Sequence, residues 1–391
     1  MEDVVISSAV RTPMGGFQGD LDSFSASELG GKAIQGAMEK AGITRVDEVI
    51  MGNVLGAGQG QAPARQASFA AGLDETVPAT TLNKMCGSGM KAAMIGFDQI
   101  KLGQSQTLAV GGMESMSNAP YLLPKMRSGA RLGHGKVVDH MFLDGLEDAY
   151  EPGRLMGTFA EDCAEKYQFT REAQDEYALT SLENSLSAQK VGAFENEIRA
   201  VEVSDRKGAK SLVLFDEQPQ NARPDKIPHL KPAFRKNGTV TPANSSSISD
   251  GAAALILASK SYSENEGLPI RARILGHSSY AHAPGLFTTA PVYAVKNLLK
   301  SIDWSIEMVD LWEVNEAFAV VPMAFMQELD ISRKILNVHG GACAIGHPIG
   351  ASGARIMVTL LNALERYDLK RGVAAVCIGG GEGTAIAIER A

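Results

Sequence analysis

Four cysteines in 391 residues, with no CxxC pair anywhere, leave no material for a disulfide framework or a zinc ribbon. A reducing compartment and no metal are the expectation. No apolar run approaches 18 residues, so nothing in the chain reads as a membrane span. Positive charge is scarce: 37 Lys and Arg stand against 45 Asp and Glu, a net charge of −8 that argues against a nucleic-acid partner. The opening MEDVVISSAVRT has neither the basic and apolar regions of a signal peptide nor the Arg-rich character of a transit peptide. The closing IERA is no SKL-type peroxisomal address, so a cytoplasmic location is expected.

What is present is ample: 45% of the residues are hydrophobic, enough for a large core, and the length suits two to three domains. Strand-like and helical patterns alternate. VVISSAV (4–10) reads as a buried strand. Ser25 to Ala41 reads as a helix, with Ser25 at its N-cap and Glu28 three residues on. VDEVIMGNVLG (46–56) is a strand entering a turn, residues 83–103 a turn leading into a helix, and TLAVGGMESMS (107–117) a strand running into glycines. The order repeats after residue 271: strand 271–280, helix 291–302, then MVDLWEVNEAFA (308–319), helix 351–367, and GVAAVCIGGGEGTAIAIER (372–390). Element order and glycine placement recur, which implies two duplicated α/β halves. The expected division is 1–118 plus 246–270, an inserted loop domain 119–245, and 271–391. The insert carries a helical pair (158–168 and 170–191). It also carries a basic segment, 201–240, whose eight Lys and Arg exceed five Asp and Glu.

Chemistry-bearing residues gather in the glycine turns. Cys86, in NKMCGSG, precedes a helix, where free N–H groups and the macrodipole favour a thiolate. The bland alternative is a small buried Cys in a tight turn. His347, between Gly346 and Pro348, is poorly placed for a core histidine and well placed for a base. Cys377 ends an apolar strand at the mouth of GGGEG. A dinucleotide reading of those glycines fails, because a further strand follows them instead of a helix. The N–H groups of such a run suit an oxyanion. Asn315, in EVNEAF, ends the corresponding strand of the second half; alone it reads as a turn former.

Taken together, NKMCGSG, VNEAF, GGACAIGHPIGASGARI and CIGGGEG resemble, in order and spacing over the whole chain, the four motifs of the thiolase family. The resemblance implies a layered α-β-α-β-α thiolase fold. It also implies reversible condensation of two acetyl-CoA to acetoacetyl-CoA through an acyl-cysteine, with no metal or redox cofactor. Carried over, Cys86 takes the acyl group, His347 activates it, and Cys377 moves the α-proton. Asn315 and His347 fix a water in one oxyanion hole, and the N–H groups of Cys86 and Gly379 form the other. CoA would lie along the loop domain, with Arg223 at the nucleotide and its phosphates, Ser246 at the pantetheine, and Phe234, Ala317 and Phe318 lining the channel. A homotetramer, a dimer of dimers, is implied. Cys343, Leu155 and the LFTTAP segment (286–291) depart from the commoner pattern, and the loop before LKPAF (230–234) is short. These departures bear on acyl-chain length and CoA contacts. A broader 3-ketoacyl-CoA thiolase of fatty-acid oxidation and a non-catalytic acyl-CoA-binding relative are the alternative readings.

Overall fold

The computed structural model describes residues 2–205 and 207–391, so Arg206 of the basic segment lies outside the described residues. The first half builds β1 (Val4–Arg11), α1 (Ala26–Ala41), β2 (Glu48–Gly52), α2 (Pro63–Ala70), β3 (Ala79–Leu82), α3 (Ser88–Lys101) and β4 (Thr107–Ser115). After an excursion carrying α4 (Met156–Tyr167) and α5 (Arg171–Lys190), the chain returns as β5 (Ser249–Ser259). The second half follows with β6 (Ala272–Ala281), α6 (Ala290–Ser301), β7 (Leu311–Val314) and α7 (Val320–Leu329). It ends with α8 (Ile349–Arg366), β8 (Arg371–Ile378) and β9 (Glu382–Arg390).

The nine strands follow one path, β7-β8-β9-β6-β1-β5-β4-β2-β3. Each half repeats the same pairings. β2 runs parallel to β4, β4 antiparallel to β5, and β5 antiparallel to β1. β7 runs parallel to β8, β8 antiparallel to β9, and β9 antiparallel to β6. Where β3 pairs β2 in the first half, the second half keeps only one parallel bridge, Trp312 to Leu336. The halves join through β1 and β6 by three residue pairs, from Val4–Ile274 to Ile6–Ala272.

That short seam lets the sheet fold around α3 and α8. Ile50, Val110 and Leu257 of the first half share one buried cluster with Val376 and Ile388 of the second, and Met94 and Leu360 of the two helices lie between them. α1 and α2 cover the outer face of the first half, α6 and α7 that of the second. Five layers result, α-β-α-β-α. Strands covered on both faces need apolar side chains throughout, which is why VVISSAV and GVAAVCI read as continuous runs. α8 is buried from Ile349 through Leu364, so even its polar stripe of Ser352, Arg355, Thr359 and Asn362 is covered and finds its partners inside the protein.

Ser25 forms the full capping box with Glu28, as the sequence indicates. α8 starts at Ile349 instead of Ala351, because Pro348 occupies the N-cap in an extended conformation. α2, β3 and the hairpin Val201–Ser204/Lys210–Val213 are not evident in the sequence pattern. The two central helices approach closely at Gly353, where a Cβ would stand 2.6 Å from the Met90 nitrogen. Gly353→Ala must push them apart and is expected to cost about 1–3 kcal/mol in urea unfolding. An unchanged midpoint would show that the central layer yields.

Candidate active site

β3, β7 and β8 all point their C-terminal ends toward one cavity of about 390 Å³, lined by Cys86, His347, Cys377 and Gly379. Ligands meet open α/β sheets at this end of the strands. Cys86 lies between β3 and α3, in a turn held by its own side chains. Ser88 Oγ accepts from the Lys84 N–H (2.8 Å) and donates to the Met85 carbonyl (2.6 Å), and Asn83 Oδ1 accepts from the Met85 N–H (2.9 Å). Met85 is in the left-handed region (φ 46°), a local strain the surrounding bonds hold in place. Gly87 makes the approach to β8 possible: a Cβ there would stand 2.5 Å from Ile378 Cδ1, beside Cys377. Lys84 also pairs with Glu382, which ties the cysteine turn to the glycine turn between β8 and β9.

Burial pushes the Cys86 thiol up to about 11, and the Glu114 carboxylate adds to this. The N–H groups of Gly379 and of Cys86 itself act in the opposite direction. The helix N-terminus therefore does not make a resting thiolate, contrary to the sequence expectation. Cys86 lies two residues ahead of α3, and desolvation is the largest influence on its thiol. A base is required.

His347 provides one. Its backbone N–H donates to Ser249 Oγ and to the Ser247 carbonyl, both at 3.2 Å. Ser352 Oγ lies 2.6 Å from its Nδ1 and 2.9 Å from the Pro348 carbonyl. The carbonyl can only accept, so the serine proton points there and Nδ1–H must be the donor to Ser352. Nε2 then carries the lone pair, and it has no partner among the described residues. Burial, with Arg355 nearby, pulls the imidazole down to about 3, so the ring is neutral at physiological pH. The ring is buried, not open as the turn sequence suggests.

Cys377 closes β8 and is fully buried. Burial, then the neighbouring Cys86, holds its thiol well above the ordinary range. Gly379 follows in a turn whose next two glycines both have positive φ (92° and 86°). Its N–H donates toward the Cys86 sulfur.

Asn315 is placed differently. It is fully buried one residue beyond β7 and does not line the cavity. Neither its Oδ1 nor its Nδ2 has a partner among the described residues. Ala317 and Phe318, just after it, do reach the wall, with Phe234 packed edge-on to Phe318 at 5.9 Å. Ser246 lines the wall too, its N–H and Oγ both 3.0 Å from the Ala317 carbonyl. Arg223 is not in this cavity. It is exposed beside a groove of about 290 Å³ with Lys226 and Cys343, which meets the cavity at Pro242 and Ser247. Leu155 and Phe287, from the segments that depart from the family pattern, line the cavity and make that wall apolar.

Three supporting residues were not legible in the motifs. Ser352 sets the His347 tautomer. Glu316 accepts from Tyr177 (2.9 Å), Ser181 (2.7 Å), Asn337 Nδ2 (2.8 Å) and the Cys343 N–H (3.1 Å), tying the Asn315 segment to α5 and to the His347 loop. Glu114 does similar work under Cys86, accepting from the Val54 and Leu55 N–H groups. Each lies inside a quoted motif or beside one, but a buried carboxylate shows no periodic signal. Among the described residues, no group of three or more His, Cys, Asp or Glu is arranged to hold a metal ion.

Two family models match the chain, "Thiolase, N-terminal domain" over residues 4–261 and "Thiolase, C-terminal domain" over 268–390. The acetyl-CoA acetyltransferase of Pseudomonas aeruginosa is 47% identical over the full length of both chains. Acetyl-CoA acetyltransferase 2 of Arabidopsis thaliana is 48% identical over 99% of this chain and 97% of its own. Among solved structures, the Bacillus anthracis acetyl-CoA acetyltransferase superposes with a TM-score of 0.96 at 40% identity, covering 100% of this chain and 99% of that one. The Acat5 thiolase of Ascaris suum, in complex with coenzyme A, gives 0.93 at 42% identity, covering both chains fully. With the duplicated five-layer fold and two cysteines lining one cavity with a histidine, these matches establish that the chain belongs to the thiolase family.

Proposed function

We propose that the chain is an acetyl-CoA C-acetyltransferase, joining two acetyl-CoA to acetoacetyl-CoA and CoA and reversing the reaction. The observation that carries this is the meeting of Cys86, Cys377 and a neutral His347 in one cavity. The names of the full-length relatives support the acetyl substrate.

His347 Nε2 takes the Cys86 proton, and the thiolate attacks the acetyl carbonyl. The N–H groups of Cys86 and Gly379 receive the oxygen of the tetrahedral intermediate. Collapse expels CoA as a thiolate, which leaves protonated by Cys377. The resulting Cys377 thiolate removes the α-proton of a second acetyl-CoA. The enolate oxygen is met by His347; the family pattern adds a water on the Asn315 amide, which is unpartnered but stands outside the cavity lining. The carbanion attacks the acetyl-Cys86 carbonyl, and Cys86 leaves as a thiolate that takes its proton back from His347. No step requires a metal or redox cofactor. Phe234, Ser246, Ala317 and Phe318 guide the pantetheine arm, and Arg223 and Lys226, in the adjoining groove, suit the negative nucleotide end of CoA. The same reading includes cytoplasmic location and a homotetramer, both resting on family resemblance. Among the described residues no helix is long and apolar enough to cross a membrane.

Thiolysis of C4, C8 and C16 3-ketoacyl-CoA is the test. We expect kcat/KM to fall at least tenfold from C4 to C8, because each added methylene must find room in a cavity the CoA arm already shares. A flat or rising profile would instead support the broader 3-ketoacyl-CoA thiolase.

A further inference from the structure

We propose that Glu114 is a positioning residue for the Cys86–His347 pair: one buried carboxylate that fixes the wall beneath the nucleophile and the first turn of the helix behind the base. The inference rests on the proposed acyl transfer.

Glu114 sits near the end of β4 and is fully buried. It accepts from the Val54 N–H (3.0 Å), the Leu55 N–H (3.1 Å), Asn53 Nδ2 (2.8 Å) and the Gly350 N–H (2.8 Å). These donors come from two segments that are remote along the chain. The first is the loop after β2. The second is the start of α8, where Pro348 occupies the N-cap and supplies no side-chain acceptor. Glu114 therefore caps α8 from another strand, placing negative charge at the positive end of the macrodipole.

The segments it holds touch the reacting groups. Val54, Leu55 and Ile349 form a small buried cluster, and Met85 and Cys86 pack against it. Three of the four bonds to Glu114 thus fix backbone whose side chains, or whose neighbours' side chains, make that wall. Gly350 is three residues past His347, and the same first turn carries Ser352, which sets the tautomer of the base. One side of this turn is fixed by Glu114 and the other by His347.

The four partners are all donors, so only the ionised carboxylate satisfies them fully. Burial raises Glu114 to about 7, with Asp250 adding to the rise and the N–H groups of Leu55, Val54 and Gly350 opposing it. The titratable groups facing it are Cys86, from the turn before α3, and Asp250, from β5. Asp250 is bonded by the Ser117 N–H. The Asn53–Leu55 loop brings no titratable group, and the first turn of α8 brings only His347, whose Nδ1 is turned to Ser352. Protonation below about pH 7 thus releases donors at both segments.

The test compares the full-length wild-type enzyme with Glu114→Gln and Glu114→Asp. Wild-type acetyl exchange must be present first; without it, the proposed function fails and this comparison is not the reason. Given that activity, Glu114→Gln should lower kcat at least tenfold with KM for acetyl-CoA within about twofold, and the acid limb near pH 7 should vanish. Glu114→Asp should keep the limb and recover part of kcat. Independently of turnover, alkylation of Cys86 by iodoacetamide, read by mass spectrometry, should have its pH midpoint lowered in Glu114→Gln, because the carboxylate raises the Cys86 thiol. If Glu114→Gln falls out of solution, the Glu114→Asp profile and alkylation midpoint decide. An unchanged kcat, pH profile and midpoint in a folded variant overturn the proposal. So does a variant that loses only thermal stability.

Discussion

Cys86→Ala is expected to abolish exchange of the acetyl group between acetyl-CoA and free CoA, a fall of about 10³-fold or more. The size follows from how the site handles the proton. With the thiol pushed up to about 11 by burial, the resting cysteine is protonated at pH 7. The reaction therefore depends on the coupled transfer to His347 Nε2, and deleting the sulfur removes both the covalent acceptor and the proton donor. The substitution itself is mild: Cys86 is half-buried against Val54, Leu55 and Ile349, and alanine keeps its Cβ contact. Stability should change by no more than about 1–2 kcal/mol, so loss of exchange in a folded protein reports chemistry. Exchange persisting above about a tenth of wild type would show that another group takes the acyl. Cys377 is the candidate, since it faces the same cavity, and labelled acetyl recovered on its peptide would identify it.

The parts of this site that the sequence displays are those written in glycines and in apolar runs. The Gly-rich turns around Cys86, His347 and Cys377 are visible because tight approach excludes side chains, as the contact at Gly87 shows. The strands flanking them are visible because burial on both faces removes polar residues. Ser25 and Glu28 are legible as a capping box because that bond is local, three residues apart. What the sequence hides is non-local or compensated. β3 is short and half-exposed, four residues squeezed between Pro78 and the Cys86 turn, so it leaves little pattern. The protonation state of Cys86 depends on how much chain closes over it, which spacing alone cannot give. Arg223 lies in a separate groove that meets the cavity at Pro242 and Ser247, while other parts of the insert, Leu155 and Phe234 among them, line the cavity itself. The same limit applies to Glu114 and Glu316, whose donors come from segments tens to hundreds of residues away.

Cys377→Ala separates the two halves of the reaction. Burial raises both thiols, and Cys86 adds to the rise of Cys377, so two thiolates in one cavity is a state the protein disfavours. The sulfurs must act in turn: Cys86 is acylated, and only then does Cys377 hold the negative charge. Acetyl-Cys86 is neutral, which removes the repulsion and frees Cys377 to keep a proton vacancy for the second substrate. Without Cys377, acylation retains its base, its nucleophile and the N–H groups of Cys86 and Gly379 and loses only the proton given to CoA, a thiol that can depart as a thiolate; the α-proton has no acceptor. Incubation with labelled acetyl-CoA should therefore place label on the Cys86 peptide, within about tenfold of the wild-type rate. Condensation should fall by about 10²–10⁴, the range a positioned base supplies. Equal loss of labelling and condensation would mean that Cys377 is needed before the acyl-enzyme forms, and the order of the two sulfurs would have to be reversed.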